Sequence, residues 1–265
     1  MTLTITPRPV GFTTPHTAHE VVLTIMSVLV AAALAASLYL WRRTGRPTAL
    51  MLTLGGLTCS LNESLVDILG HCFFPEDGRM AQRLFDIAIP VWVDLAYMIF
   101  FGALVFVNVE VLRLGISRRT MWLGIAGFWV ANTLLEIPIL STHLYEYYGG
   151  QPLEVGGFPL VWLTVNSVGS FAAAVVVVRL ESFFAGARQL LLLFVCFGTY
   201  MASWVFSMPY FWAMNSDAST AVRTAAAVLS IAIVLAVMDG LIRIGLHRPA
   251  VSAPRAEAAL ASARP

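Results

Sequence analysis

The sequence predicts an all-α fold: a polytopic bundle of seven transmembrane helices, N-terminus outside and C-terminus cytoplasmic. Three observations carry that expectation. The 265 residues are 58% hydrophobic and only 12% charged, where soluble domains carry about 25% charged residues, and mean hydropathy is +0.80. Seven stretches reach the roughly 20 apolar residues that a hydrocarbon core of about 30 Å demands. The arginines also segregate between alternate connections, twelve on one side against four (Arg8, Arg79, Arg83 and Arg223) on the other. The arginine-rich side is cytoplasmic by the positive-inside rule.

The elements follow in order. The first stretch, 21–41, is followed by Arg42, Arg43 and Arg46. The second, 49–70, places Asn62, Glu63 and Asp67 within two helical turns. The third, 87–112, carries Pro90, Trp92, Asp94 and Tyr97, and the fourth, 120–140, carries Asn132 and Glu136. The fifth, 158–180, carries Pro159, Trp162, Asn166 and Ser170; the sixth, 189–212, carries Tyr200 and Trp204. The seventh, 221–244, ends near Asp239, and Asp217 lies in the short outer connection before it. Residues 1–20 form a polar, Pro/Thr-rich tail that is wrong for a cleaved signal peptide. Residues 21–245 form the helical domain, and 246–265 form an Ala/Pro-rich tail expected to be disordered.

A weak repeat links the second and third stretches to the fourth and fifth. Asn62 precedes Pro90 by 28 residues and Asn132 precedes Pro159 by 27. Each Asn shares its helix with a carboxylate, Asp67 or Glu136, and each Pro has a Trp close behind. A polar residue, Tyr97 or Asn166, stands seven positions after the Pro. The pattern has the form of a degenerate duplicated hairpin. Pro at helix starts and Trp in the interfacial belt are also ordinary in membrane bundles, so the pattern has a bland explanation as well.

Composition excludes several functions. All sixteen basic residues are arginine, so no lysine amine exists to form a retinal Schiff base. The three cysteines lack metal-ligand spacing, and the five histidines lie in tails or near helix ends, which disfavours a haem between facing helices. A net charge of +1 gives no reason to expect nucleic acid. Neither a metal nor another cofactor is expected: the sequence has no aspartate-rich diphosphate box to hold Mg²⁺, no P-loop and no HExxH.

The intramembrane polar groups are the functional signal. Glu63 and Asp67 are four apart and share a helix face, as do Asn132 with Glu136 and Asn166 with Ser170. An ionised carboxylate at the bilayer centre costs about 2.5–3.5 kcal/mol, so Glu63, Asp67, Asp94 and Glu136 are expected to converge on an interior cavity in the outer half. A carboxylic acid that stays protonated in such a cavity is a proton donor. Aromatic side chains stabilise cations, and Trp92, Tyr97, Tyr200 and Trp204 are candidates for its wall with Asn62 and Asn166. The structural alternatives are interhelical glue for the Asn and Ser pairs and interfacial placement for Asp67 and Glu136. A solvated loop acid is the corresponding alternative for Asp217, and a helix-end role for Asp239.

An acid on the second helix, NESLVD with Glu63, a late aspartate and seven spans in a chain this short resemble the small integral membrane terpene cyclases of meroterpenoid and indole-diterpene pathways. The resemblance covers about residues 20–245. It implies metal-independent, proton-initiated cyclisation of a prenylated acceptor, with epoxide or terminal-alkene protonation both open. It assigns the initiating acids to Glu63 and to Asp217 or Asp239; hydropathy places Asp217 on the Glu63 side. Asp67, Asp94, Asn132 and Glu136 complete the candidate catalytic set. The expected partners are a hydrophobic prenylated small molecule and the bilayer of a bacterial plasma membrane. A small proton-coupled carrier, another lipid-modifying enzyme and an assembly protein are the alternatives.

Overall fold

The computed structural model describes residues 6–247. Among these residues, seven helices are long and apolar enough to cross a membrane: α1 (His16–Thr44), α2 (Thr48–Gly70), α3 (Val91–Leu114), α4 (Arg118–Ser141), α5 (Val161–Arg179), α6 (Gly186–Phe206) and α8 (Thr220–Leu246). A short helix, α7 (Met208–Met214), precedes the last one.

Local chemistry sets the boundaries. α1 ends at Gly45, whose left-handed φ of 69° lets its N–H close back onto the Trp41 carbonyl, a conformation that costs glycine little. Ser117 and Ser219 cap α4 and α8 by accepting the backbone N–H of Thr120 and Val222, satisfying donors that a helix start leaves free. α2 tightens into a 3₁₀ turn at Ser60–Asn62 immediately before Glu63. α3 widens into a π turn at Ile99–Ala103, and such turns frequently mark functional positions in helices.

The connections at one end contain short antiparallel ladders that an all-α reading omits. β2 (Met80–Leu84) pairs with β3 (Ile87–Pro90) across a two-residue turn, Phe85 and Asp86, both at positive φ, the geometry of a tight hairpin. β1 (Cys72–Phe73) pairs with β4 (Glu146–Tyr147), and β5 (Glu154–Val155) with β6 (Phe158–Pro159). The expected helix starts at 87 and 158 are therefore corrected to Val91 and Val161, because the residues before them pair as strands and end on Pro90 and Pro159. The expected sixth span, 189–212, breaks at Ser207. Pro209 has no N–H to continue the ladder, so α7 starts afresh. α1, His16–Thr44, extends past both ends of the expected first stretch, 21–41. The expected disordered tail, 246–265, lies outside the described residues except for Leu246, which ends α8, and the non-helical His247.

Both proposed repeat halves have one element order: helix, short strand, hairpin, proline, then a helix with Trp at its second position, Trp92 or Trp162. β1 and β4, the equivalent strands, pair with each other. The halves differ in packing. α2 is clamped between α3 and α6: a Cβ on Gly56 would stand 2.5 Å from the Met98 Cα, and one on Gly102 would stand 2.7 Å from the Thr53 carbonyl oxygen. Such small residues let membrane helices approach closely. α4 by contrast buries only Met121 and Leu140 and packs against α5, α8 and β6.

Candidate functional site

A cavity lies between α2, α3, α4, α5 and α6 near the end that carries the strands. Its cavity volume is about 140 Å³. The close α2–α3 crossing sets its first wall. Glu63 and Asp67, one turn apart after the 3₁₀ turn, both line it. The Tyr97 hydroxyl donates to Glu63 Oε2, which leaves Oε1 for other partners. The Tyr97 ring stands 4.7 Å from Phe101 and edge-on to Tyr200 at 6.0 Å. Tyr200 in turn donates to Asn166 Oδ1 at 3.0 Å. Glu63, Tyr97, Tyr200 and Asn166 thus form one polar band across three walls.

Asp67 is 1% exposed, and neither of its carboxyl oxygens has a hydrogen-bond partner of normal geometry. Its near neighbour is the Cys72 thiol, a weak donor. Buried polar atoms are normally satisfied, so a carboxyl group with only a thiol for a partner is conspicuous in a cavity wall. Asn132 and Glu136 enter from α4, one turn apart, and also line the space. No arginine or histidine is among the lining residues.

Aromatic side chains close the strand end. The β1–β4 pairing brings Phe74, Tyr145 and Tyr147 over the cavity, where they meet the two helix-start tryptophans. Phe74 lies 5.7 Å from Trp92 and 5.6 Å from Tyr145, and Tyr147 stacks on Trp162 at 6.0 Å. Neither indole N–H has a hydrogen-bond partner of normal geometry. Burial pushes the Tyr147 hydroxyl well above its ordinary range, so it remains a neutral phenol. Ring faces of this kind stabilise a desolvated cation.

The structure divides the candidate residues. Glu63, Asp67, Asn132 and Glu136 line one cavity with Trp92, Tyr97, Asn166 and Tyr200. Five others do not line it. Asp94 points instead toward the β2–β3 hairpin, where Gln82 Nε2 donates to it at 2.9 Å and to the Ser60 carbonyl at 3.2 Å. Asn62 donates to the Phe197 carbonyl of α6 at 3.2 Å, an interhelical tie. Trp204 stands behind the wall, edge-on to Tyr200 at 5.6 Å. Asp217 is exposed in the connection between α7 and α8. Asp239 lies at the opposite end of the bundle, bonded to Arg118, Arg243 and Trp122. A helix-end ion-pair network accounts for it.

The roof residues Phe74, Tyr145 and Tyr147 are absent from the sequence-derived site. Their positions depend on pairing Cys72 with Tyr147, a contact between distant segments with no local signature. Aromatic-rich connections, CFF and LYEYY, were the available signal. No family model, curated protein or solved structure matches the chain.

Proposed function

We propose that this protein is a membrane-embedded, metal-independent terpene cyclase that protonates the prenyl chain of a prenylated acceptor and directs its carbocation cyclisation. The observation that carries this reading is the cavity wall itself, in which three carboxyl side chains, Glu63, Asp67 and Glu136, stand among aromatic rings with no basic residue among those that line it. The resemblance of NESLVD and the seven-span arrangement to small membrane terpene cyclases supports it.

Glu63 is the proposed general acid. Tyr97 occupies its Oε2, so Oε1 carries the proton to the epoxide oxygen or terminal alkene carbon. The chain's π bonds then close in sequence on the cation, while the rings of Tyr97, Phe101, Tyr200 and the roof stabilise the moving charge. A shaped wall sets which carbons meet, and exclusion of water prevents early quenching. Glu136, assisted by Asn132, takes up the final proton, so the product is an isomer of the substrate and no oxidant is consumed. Asp67 tunes or reprotonates Glu63.

The proposed orientation has the N-terminus outside and the C-terminus in the cytoplasm of a bacterial cell, from the twelve-to-four division of arginines. The acid cavity then faces the outer half of the plasma membrane.

The test is turnover of a farnesylated hydroquinone by protein in lipid nanodiscs, read as an isomeric cyclic product. Glu63→Gln keeps size and hydrogen bonding, so it should insert normally yet lose roughly 10²–10⁴-fold in rate. Asp67→Asn should lose less, and chelation should have no effect. Near-normal cyclisation by Glu63→Gln would falsify the assignment. Substrate-dependent proton uptake in proteoliposomes without any new product would instead identify a carrier.

A further inference from the structure

A second chamber adjoins the first. It lies between α3, α4, α5 and α8 toward the arginine-rich end and has a cavity volume of about 190 Å³. Leu104, Phe128 and Ser170 line both chambers, so the two meet at these residues. Along α4 the distance from Glu136 in the first chamber to Thr120 at the far end of the second is sixteen residues, roughly 24 Å at 1.5 Å per residue. The seam between α3 and α4 borders both spaces and is weakly closed. Phe100 and Phe128 touch across it edge-on at 6.4 Å, and Leu135 lines the first chamber while remaining 45% exposed.

The second chamber is mostly apolar, and its hydroxyl groups are already engaged. Ser167 accepts from Trp129 and donates to the Leu163 carbonyl, Ser170 donates within α5, and Thr120 bonds Ser117. Asn108 differs: it is a half-buried residue that lines the chamber and makes no side-chain hydrogen bond among the described residues. Polar side chains within membrane-spanning helices normally find a partner or serve a site. An unengaged amide six residues from the end of α3 is thus free to meet a ligand's polar group.

Proton-initiated cyclisation begins at the chain end farthest from the acceptor ring, so that end must reach Glu63. We propose that the prenylated substrate binds tail first, its reacting terminus beneath the aromatic roof and its ring in the second chamber, hydrogen-bonded to Asn108. This assignment rests on the cyclase reading and adds the direction of the chain and the residues that select the acceptor. Leu104, Phe128 and Ser170 hold the middle of the chain where the chambers meet. The ring follows the tail through the α3–α4 seam, the side of the bundle where the wall is least complete. Gly124 sets the room available to the ring, since its Cβ position meets no atom within 4 Å.

Two photoreactive farnesyl hydroquinones test the direction without requiring turnover. One carries a diazirine on the ring, the other on the terminal isoprene unit. The ring probe should label α3 and α4 near Asn108 and Gly124; the terminal probe should label the α2–β1 segment or the β4 segment. The reverse pattern, or both labels confined to the roof, overturns the proposal and leaves the second chamber to bilayer acyl chains. In turnover, Asn108→Leu and Gly124→Phe should each lower the kcat/KM preference for farnesyl hydroquinone over ringless farnesyl acetate by roughly tenfold or more, the scale on which pocket contacts discriminate substrates. Gly127→Phe, equally free of neighbours and outside both chambers, should leave that preference unchanged. An unchanged ratio in the first two variants also overturns the proposal. Should the unaltered protein cyclise neither compound, the cyclase reading falls, and the labels alone decide where the ring binds.

Discussion

Tyr97 and Asp67 frame the acid chemistry from opposite conditions: one carboxyl oxygen of Glu63 is held by a phenol, while Asp67 has only the weak Cys72 thiol beside it. The phenol contributes a single hydrogen bond, worth about 0.5–1.5 kcal/mol net. Tyr97→Phe should therefore insert normally and cyclise about 2- to 10-fold more slowly, measured as initial rate on the farnesylated hydroquinone. A loss as large as that of Glu63→Gln would show Tyr97 to be the acid itself. Residue identity alone located Glu63, Asp67, Asn132 and Glu136, because a carboxylate or amide deep in an apolar stretch must face protein rather than lipid. Asp94 shows the limit of that rule. Its partner, Gln82, belongs to a hairpin, so its depth in the sequence was right for the cavity while its direction was not.

At the scale of elements, two devices hold the site together. The first is the α2–α3 crossing, where Gly56 has no room for a methyl group. Gly56→Ala should destabilise the fold by about 1–3 kcal/mol, the usual range for overpacking, seen as a lower thermal midpoint in nanodiscs. The helix pattern predicted both elements but not how closely they cross, because that distance depends on which faces meet. The second device is the roof, joined by the pairing of Phe73 with Glu146. Cross-strand neighbours lie close enough for a disulfide with modest adjustment. In a Phe73→Cys, Glu146→Cys protein, oxidation should lock the roof, and a substrate that enters through the α3–α4 seam should still be turned over. Loss of turnover on oxidation, restored by reductant and absent in the Phe73→Cys single variant, would place the route through the roof.

For the whole molecule, packing is asymmetric. α5 is enclosed by its neighbours, whereas α4 leaves most of its length exposed although it occupies the place of α2 in the second half of the repeat. The weak α3–α4 seam follows from that difference, and both chambers lie along it. The proposed orientation predicts that a reporter fused after residue 247 and active only in the cytoplasm will be active. Signal from a reporter that works only on the outer face would reverse the bundle and place the acid cavity in the cytoplasmic half.

The sequence by itself determined the number of long apolar helices and the carriers of polarity within them. Both follow from the cost of exposing backbone or charge to hydrocarbon, a cost that acts on every residue locally. It also marked the two helix-start tryptophans, which follow closely on Pro90 and Pro159. Tertiary structure alone decided which polar groups share a space. It turned Asp94 to Gln82, tied Asn62 to α6 and joined Asp239 to Arg118 at the far end. It also brought Tyr147 to Cys72 to form the roof. Those outcomes depend on helix rotation and on pairing between distant segments, and neither is encoded in the period of a single helix.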